Sequence, residues 1–478
     1  MPSEKTTIVW FDRDLRLSDN PALTNACQCG NAIVPIYINA PCSDGWPRSG
    51  QQTWWLRRSL ETLGQRLRKR GSRLVLRDGH AADVLLDIAQ EVDAVRVVWN
   101  RRYRPSLARR DIEAARRLQD AGIEVETSAG RLLHDPEEIR TTTGGPYHVY
   151  TPFWRKFCDQ VQVDPPLDSA PINERSAPSR WPASEELASL FENNDEGYQN
   201  LSEYWSPGEK SAHRRLDAFI DKSLSRYADL RDRPDIDGTS RLSPFLHFGE
   251  ITPRQIWHAI DGSSAADEAA EQAEIFRKQI VWREFSYHLL HHYPETAEQP
   301  LRDKFRQFEW RSDREALERW QQGRTGFPIV DAGMRQLLQM GWMHNRVRMI
   351  VASFLTKDLL IPWQEGARWF WEHLVDADLA NNTMGWQWSA GCGADAQPFF
   401  RVFNPLTQSK KFDPDGAYIR RFIPEIAELD DSIIHAPWKS SDAPLLQAAV
   451  ELNGDYPSPI VDHAAARKTA LEHYEKIK

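Results

Sequence analysis

Cysteine is scarce in this chain: five residues in 478, at Cys27, Cys29, Cys42, Cys158 and Cys392. So few, so scattered, exclude the disulfide framework that staples small secreted folds. No apolar run approaches the roughly 18 residues of a membrane-spanning helix, which leaves no helical anchor to read. Positive charge is in deficit as well, with 60 Lys and Arg against 69 Asp and Glu and a formal net charge of −9. Binding a polyanion through overall charge is thereby excluded, and a nucleic-acid partner would need a local basic groove. An apolar strand pattern begins almost at once, at Thr7-Ile8-Val9-Trp10-Phe11. That start leaves no place for a signal or transit peptide, so the expected compartment is the reducing cytoplasm.

What remains is a chain built to fold. Hydrophobic residues make up 41% and charged residues 27%, which rules out disorder as the main state. The length suits two or three domains rather than one. Tryptophan is in excess, at 19 residues. Core packing accounts for most large aromatics, and the surplus calls for a further use such as stacking or electron transfer.

The first part of the chain alternates short apolar runs with amphipathic stretches. Strands are predicted over 7–11, 32–38, 73–76, 94–99 and 124–127, and helices over 52–70, 81–91 and 106–121, the last closed by Gly122. Strand–helix alternation with nearly unbroken apolar strands predicts an α/β domain with a doubly wound parallel sheet. No G-x-G-x-x-G follows the first strand, so the dinucleotide fingerprint is missing there. From 136 to 210 Pro165, Pro166, Pro171, Pro178 and Pro182 break both periods, and a long connector wrapped over a surface is expected. Beyond it the strand signal vanishes. Helical patterns at 211–227, 252–259, 267–293, 313–322, 329–340, 344–360 and 364–375 predict an all-α domain. The division is therefore 1–135, 136–210 and 211–478.

Four segments carry chemistry. In Met343-His344-Asn345-Arg346-Val347-Arg348-Met349, helical spacing puts Asn345, Arg348 and Met349 on one face, with Arg346 turned by about 100°. On the 267–293 helix, Gln279, Trp282 and Arg283 share a face, where an amide, an indole and a guanidinium suit stacking on a base and bonding to it. Both groups read equally as solvated helix surface. The run Asp376-Ala377-Asp378-Leu379-Ala380-Asn381-Asn382-Thr383-Met384-Gly385-Trp386-Gln387-Trp388 mixes acids, amides and indoles, the chemistry of a heteroaromatic cofactor site. A metal site on His373, Asp376 and Asp378 is its rival, and one on Cys27, Cys29 and Cys42 lacks both the spacing and a fourth ligand. Asp237-Gly238-Thr239-Ser240-Arg241-Leu242-Ser243-Pro244 reads either as a phosphate cradle before a helix or as a plain capping turn.

Taken together these segments resemble the DNA photolyase/cryptochrome family over nearly the whole chain. Trp10-Phe11-Asp12-Arg13-Asp14-Leu15-Arg16-Leu17-Ser18-Asp19-Asn20 is similar to that family's first strand and turn, with Asp12 where arginine is usual. Gly326-Phe327-Pro328-Ile329-Val330-Asp331-Ala332-Gly333-Met334 and Arg401-Val402-Phe403-Asn404-Pro405 match as well. The resemblance implies a Rossmann-like antenna domain, a linker, and an all-α domain that holds FAD in a U-shape.

On that resemblance Tyr227, Thr239, Ser240, Arg241, Leu242 and Ser243 would bind the FAD phosphates and ribityl chain. Asp376 and Asp378 would contact the flavin and adenine side, with Arg348 pairing Asp376. Asn382 would sit opposite flavin N5, where plant cryptochromes carry an acid. Trp386, Trp363 and Trp310 would relay an electron from the surface. Trp282 and Trp388 would stack on a flipped pyrimidine dimer in a pocket lined by Asn345, Arg346 and Met349. Arg283, Arg231, Arg401, Lys410 and Lys411 would give the basic groove.

Enzymes for (6-4) photoproducts carry histidines where this chain has Asn345 and Met349, which favours the cyclobutane dimer; Gln279, where many dimer-specific relatives have Glu, points the other way. The function implied is light-dependent repair of cyclobutane pyrimidine dimers by electron transfer from excited reduced FAD to the flipped-out dimer, a carbon–carbon lyase activity. Gln279, Asn345, Met349 and Asn382 are its catalytic candidates. The expected partner is UV-damaged DNA, single- or double-stranded, and the expected enzyme a monomer without a metal. A second antenna chromophore, a folate stacked near Trp46, Trp54 or Trp55 or a deazaflavin, remains open. The rival function is a blue-light signalling cryptochrome, against which stand Asn382 and the chain's end at Lys478, soon after Arg420-Arg421-Phe422-Ile423-Pro424-Glu425.

Overall fold

The structure, a computed structural model, describes residues 5–41, 44–191, 197–264, 269–395 and 400–478. Cys42 lies outside the described residues. The polypeptide divides into two compact units, one of residues 1–147, 151–225 and 240–292, the other of 148–150, 226–239 and 293–478. The sequence division at 211 follows the loss of strand signal, whereas these units follow packing, and 211–225 and 240–292 belong to the first.

The first unit is built on five parallel strands, β1 (Thr6–Phe11), β2 (Ala32–Asn39), β3 (Val75–Asp78), β4 (Ala94–Asn100) and β5 (Glu124–Ser128), in the order β3-β2-β1-β4-β5. Thr6 pairs with Ala32 and Phe11 with Tyr37 across β1 and β2. The central strand β1 is buried along its whole length, which is why its sequence runs apolar without alternation. Helices Gly50–Arg68, Ala81–Glu91 and Pro105–Asp120 cover the sheet as predicted. A further helix, Pro21–Gln28, escaped the periodicity because it spans only two turns. Its signal was local: Asn20 caps it by accepting from Leu23 N, and Pro21 occupies the first turn.

The turn after β1 is held by its own charged residues. Arg16 is fully buried and donates to the carbonyls of Asp19, Gly130 and Gly249. Asp14 accepts from Asn100 Nδ2 at 2.6 Å. Burial alone would raise Asp12, yet Arg110, at 2.8 Å, together with Arg102 and Arg13, holds its carboxyl below the usual carboxylate range. Two of these arginines, Arg102 and Arg110, also lie over the Trp10 ring, at 4.0 and 4.6 Å.

The connector is not bare loop. It carries the helix Tyr150–Gln160 and 3₁₀ turns at Glu174–Ser176 and Gln199–Glu203. It also runs along the edge of the sheet, where Glu185 N donates to Leu76 O at 2.9 Å and Leu76 N to Ser184 Oγ at 3.0 Å. The open edge of β3 is thereby covered.

Also in the first unit, Glu250 is fully buried, accepting from Ser59 Oγ at 2.6 Å and Trp55 Nε1 at 3.1 Å. Burial pushes its carboxyl up to about 8, against the pull of those two bonds. Folding thus takes up a proton here between about 4.5, the ordinary value, and about 8. Stability from the protonated group is whole below the first value and is lost as pH rises through the second. Glu250→Gln, which keeps one donor and one acceptor, is expected to flatten that decline. Urea titrations between pH 5 and 8 measure it, and the wild-type slope is at most about 1.4 kcal/mol per pH unit.

The second unit is helical: Arg314–Gln321, Pro328–Met340, Asn345–Ser353, Trp363–His373, Leu379–Ala390, Pro405–Phe412, Ala417–Phe422 and His463–Lys476 are its principal helices. Gly341, in the left-handed region at φ 62°, ends the second of these and turns the chain into the third. The predicted helix over 344–360 is α-helical only to Ser353 and then widens into a π turn at Phe354–Asp358. Leu379–Ala390, which the sequence reading left without a helix, is one despite Gly385 in its middle, because Asp378 caps it. No helix among the described residues is long and apolar enough to cross a membrane.

Candidate functional site

In the second unit the site residues gather around two helix starts. His344 caps the Asn345–Ser353 helix, its Nδ1 accepting from Arg346 N at 3.2 Å, while its own N–H donates to Gln336 Oε1. Arg348 is turned inward: Nε donates to Met343 O at 2.8 Å and Nη2 to both oxygens of Asp376, at 2.9 and 3.2 Å. The Asp376 side chain is 2% exposed and that of Arg348 26%, so the pair presents one guanidinium edge above a buried carboxylate. Asn345 and Met349 stay on the outer face at i, i+4, with Nδ2 3.9 Å from Sδ. Arg346 is committed elsewhere, donating to Asp232 Oδ2 at 2.7 Å with its guanidinium 4.4 Å from the Phe412 ring.

The second start is that of Leu379–Ala390. Asp378 Oδ1 accepts from Asn381 N at 3.0 Å and from its side chain at 2.7 Å. Asn382 is buried, and its Nδ2 donates to Ala367 O at 2.9 Å, which fixes the amide's orientation. Tyr227, also in this unit, is buried, and burial raises its phenol to about 12. Thr239 is half-buried.

Of the three tryptophans, Trp386 and Trp363 are buried and Trp310 is half-buried. Trp386 lies against the backbone of the Trp363–His373 helix at Gly366, where a Cβ would come within 2.1 Å of the indole. Gly366 is one turn from Trp363. The segment just before Trp363 is in turn tied to Trp310's neighbour, Arg311 N donating to Leu360 O at 2.7 Å. The fold thus links all three to the Trp363–His373 helix and its start without stacking them on one another. The ring contacts of Trp386 are with Phe370 at 4.9 Å and Trp320 at 6.1 Å, and Trp310 meets Phe308 at 4.5 Å. Phe370 and Trp320 were not singled out in the sequence, since nothing but their helical spacing marks them.

Trp388 opens onto a small cleft of about 20 Å³, lined also by Met349, Ser353, Lys357, Phe400, Arg401, Phe403 and Tyr474. That is room for a single water and not for a base. Among the described residues no imidazole lines it. Arg401, Lys410 and Lys411 are exposed, and Arg231 is half-buried with its guanidinium 5.5 Å from the Tyr227 ring.

The first unit holds the other site residues. Gln279, Trp282 and Arg283 are half-buried on the Ala270–His292 helix. Gln279 Nε2 donates to Ile275 O at 3.1 Å. Arg283 donates to Arg131 O and to the fully buried Glu284, so its charge is already answered within the fold. Ser240 O accepts from Arg215 Nε at 2.9 Å, Arg241 takes φ 49°, Leu242 is buried and Ser243 opens the helix Ser243–His247. Five residues of helix carry little dipole, so a phosphate there would rest on hydroxyls and the guanidinium. A separate pocket of about 60 Å³ is lined by Tyr37, Trp46, Arg48, Arg104 and Arg110 among others. Trp46 reaches it. Trp54 and Trp55 are fully buried, Trp55 stacked on Phe248 and bonded to Glu250, and cannot offer a face to a folate.

Among the described residues no group of three or more His, Cys, Asp or Glu side chains is placed to hold a metal ion. His373 turns its Nδ1 to Trp369 O and stacks on the Trp369 ring at 3.8 Å, away from the part proposed for it with Asp376 and Asp378.

Two family models match: that of the FAD binding domain of DNA photolyase over residues 276–476 and that of DNA photolyase over residues 7–172. Among curated proteins the chain is 49% identical to a deoxyribodipyrimidine photo-lyase of Agrobacterium fabrum, over 98% of each chain. It is 39% identical to cryptochrome-2 of Arabidopsis thaliana, over 98% of this chain and 78% of that one. A crystal structure of a bacterial class III photolyase from Agrobacterium tumefaciens superposes with a TM-score of 0.95 at 47% identity, covering 100% of this chain and 98% of the other.

Proposed function

The chain belongs to the DNA photolyase family, light-driven DNA-repair enzymes that use FAD, and we propose that the lesion it takes is the cyclobutane pyrimidine dimer. One observation carries that choice. The cleft beside Trp388 is walled by a thioether, aromatic rings, hydroxyls and two cations, with no imidazole among the described residues to act as the acid that (6-4) chemistry needs.

The donor set fits FAD. A flavin ring edge offers carbonyls and an N–H, and in the second unit the guanidinium edge of Arg348, the carboxylates of Asp376 and Asp378 and the oriented amide of Asn382 would meet them. Tyr227 and Thr239 of the same unit would serve the ribityl and phosphate end. What FAD supplies when bound is one electron, released after absorption of blue light and returned once the dimer has split. The chain's own residues bind, orient and insulate. Arg348 and Asp376 would hold a fixed charge pair at the ring, and Asn382, being an amide, has no acidic proton to give where an acid would have one. Trp388 and Met349 would supply apolar surface against which a flipped, poorly stacked dimer costs little to extrude.

The partner on this reading is damaged DNA, single- or double-stranded, and the working form is a cytoplasmic monomer; Cys27, Cys29, Cys158 and Cys392 are all free thiols, which suits a reducing compartment. A second chromophore would have the pocket at Trp46, and not the faces of Trp54 or Trp55.

The test is blue-light repair by pre-reduced protein of two oligonucleotides, one with a cyclobutane thymine dimer and one with a (6-4) photoproduct. Restored thymines from the first alone are expected. Repair of the second alone would make Gln279 the substrate reporter, and repair of neither, with flavin bound, would favour a cryptochrome. Trp388→Ala is expected to weaken binding of the dimer-containing strand by about 1–3 kcal/mol, the worth of one stacking contact, in a fluorescence anisotropy titration.

A further inference from the structure

We propose that Lys357 and Ser353 are positioning residues for the dimer site: together they pin the irregular segment 400–403 by its backbone and so set the wall that faces Trp388. The inference rests on the reading of this cleft as the dimer's floor.

Met349, Ser353 and Lys357 succeed one another at intervals of four and form one stripe down the helix. The stripe survives the end of the α-helix because the chain widens into the π turn, Leu359 N donating to Phe354 O at 3.0 Å. All three side chains line the cleft. Segment 400–403 has neither helix nor strand, so its backbone groups find partners outside any ladder. Ser353 Oγ accepts from Phe403 N at 3.2 Å, and Lys357 Nζ donates to Arg401 O. Lys357 Nζ also lies 4.7 Å from the Phe400 ring. Two consecutive side chains of the stripe thus hold both ends of the wall.

A lysine in this place needs a reason. Lys357 is 4% exposed, and burying an ammonium is costly where a methionine would fill the same space without penalty. Burial pushes it down to about 7, with Asp358 and Cys392 acting upward and Arg401 downward. Asp358 beside it is itself bonded to His463. What the lysine retains in either protonation state is a donor for the Arg401 carbonyl, and this is the part the fold uses.

The experiment compares Lys357→Met and Ser353→Ala with wild type in the full-length, FAD-loaded protein, Ser353→Ala standing in if Lys357→Met does not fold. The measurements are KM and light-saturated kcat for a dimer-containing oligonucleotide, Kd for the undamaged strand, and Tm. Loss of one clamp is expected to raise KM about tenfold while kcat and the Kd for undamaged DNA stay within about twofold and Tm shifts by no more than a few degrees. The double variant should exceed neither single by much, because both act on one segment. Unchanged KM overturns the proposal. So does a parallel loss of undamaged-strand affinity, which would make Lys357 a plain phosphate contact, or a fall of kcat together with Tm, which would make it a folding element. If wild type itself shows no preference for the dimer, the reading of the cleft fails and the proposal falls with it.

Discussion

Arg348→Met is expected to lower stability by about 3 kcal/mol and to release FAD from the protein. The Asp376 carboxylate is 2% exposed, and its partner in the fold is the Arg348 guanidinium at 2.9 and 3.2 Å. Removing one member of such a pair strands a charge away from water, which costs about 3–5 kcal/mol in buried pairs. The lower end applies because Arg348 keeps a quarter of its side chain in solvent, where screening weakens the attraction. Asp376→Asn should cost less, since an amide leaves no charge behind and Arg348 can still reach water. Combining the two should recover part of the loss, so the double-mutant cycle shows a coupling of opposite sign to the first single change. Urea unfolding of the apoprotein gives the stability, and the bound flavin absorbance of the purified protein gives retention. A drop under about 1 kcal/mol in Arg348→Met would show that the carboxylate is satisfied by something other than the pair.

Much of this was open to reading because the relevant physics is local. The sheet followed from strands too apolar to have a wet face, and each observed strand lies within two residues of its expected bounds. The pairing of Arg348 with Asp376 was expected from family resemblance, and the helical spacing places Arg348 where the fold needs it. The helix at Leu379–Ala390 was hidden by its content: asparagines, a glycine and indoles score poorly as helix, while the capping Asp378 and burial of Trp386 decide the matter. Spacing also misled about freedom. Arg346 and Arg283 sit on the expected faces, yet each guanidinium is taken by a carboxylate, Asp232 and Glu284, that no periodicity points to. Trp54 and Trp55 look like stacking platforms in one dimension and are core in three. Lys357 drew no notice, since a lysine at the end of a helical pattern ordinarily reaches solvent, and only the π turn directs it inward.

The electron relay proposed for Trp386, Trp363 and Trp310 makes the other large prediction. Trp386→Phe should slow photoreduction of oxidised flavin by more than about tenfold, equivalent to about 1.4 kcal/mol of barrier, while pre-reduced enzyme repairs the dimer at nearly the wild-type rate. The reasoning is positional. Trp386 touches the Trp363–His373 helix where Gly366 has no side chain, and a Cβ there would overlap the indole. The glycine therefore brings the ring within one helical turn of Trp363, and the Arg311–Leu360 bond brings the Trp310 segment next to the start of that same helix. Phenylalanine keeps the edge contact with Phe370 in kind but is far harder to oxidise than an indole, so it would interrupt the proposed series at Trp386. The substitution leaves a void, and measurements belong well below the melting temperature for that reason. Gly366→Ala approaches the same point from the other side: it leaves all three indoles in place and displaces Trp386, so a fall in photoreduction there would tie the rate to the position of the ring and not to its presence alone. If Trp386→Phe abolishes repair by pre-reduced enzyme as well, Trp386 acts on the dimer or holds the flavin, and the relay from Trp310 inward is not its principal role.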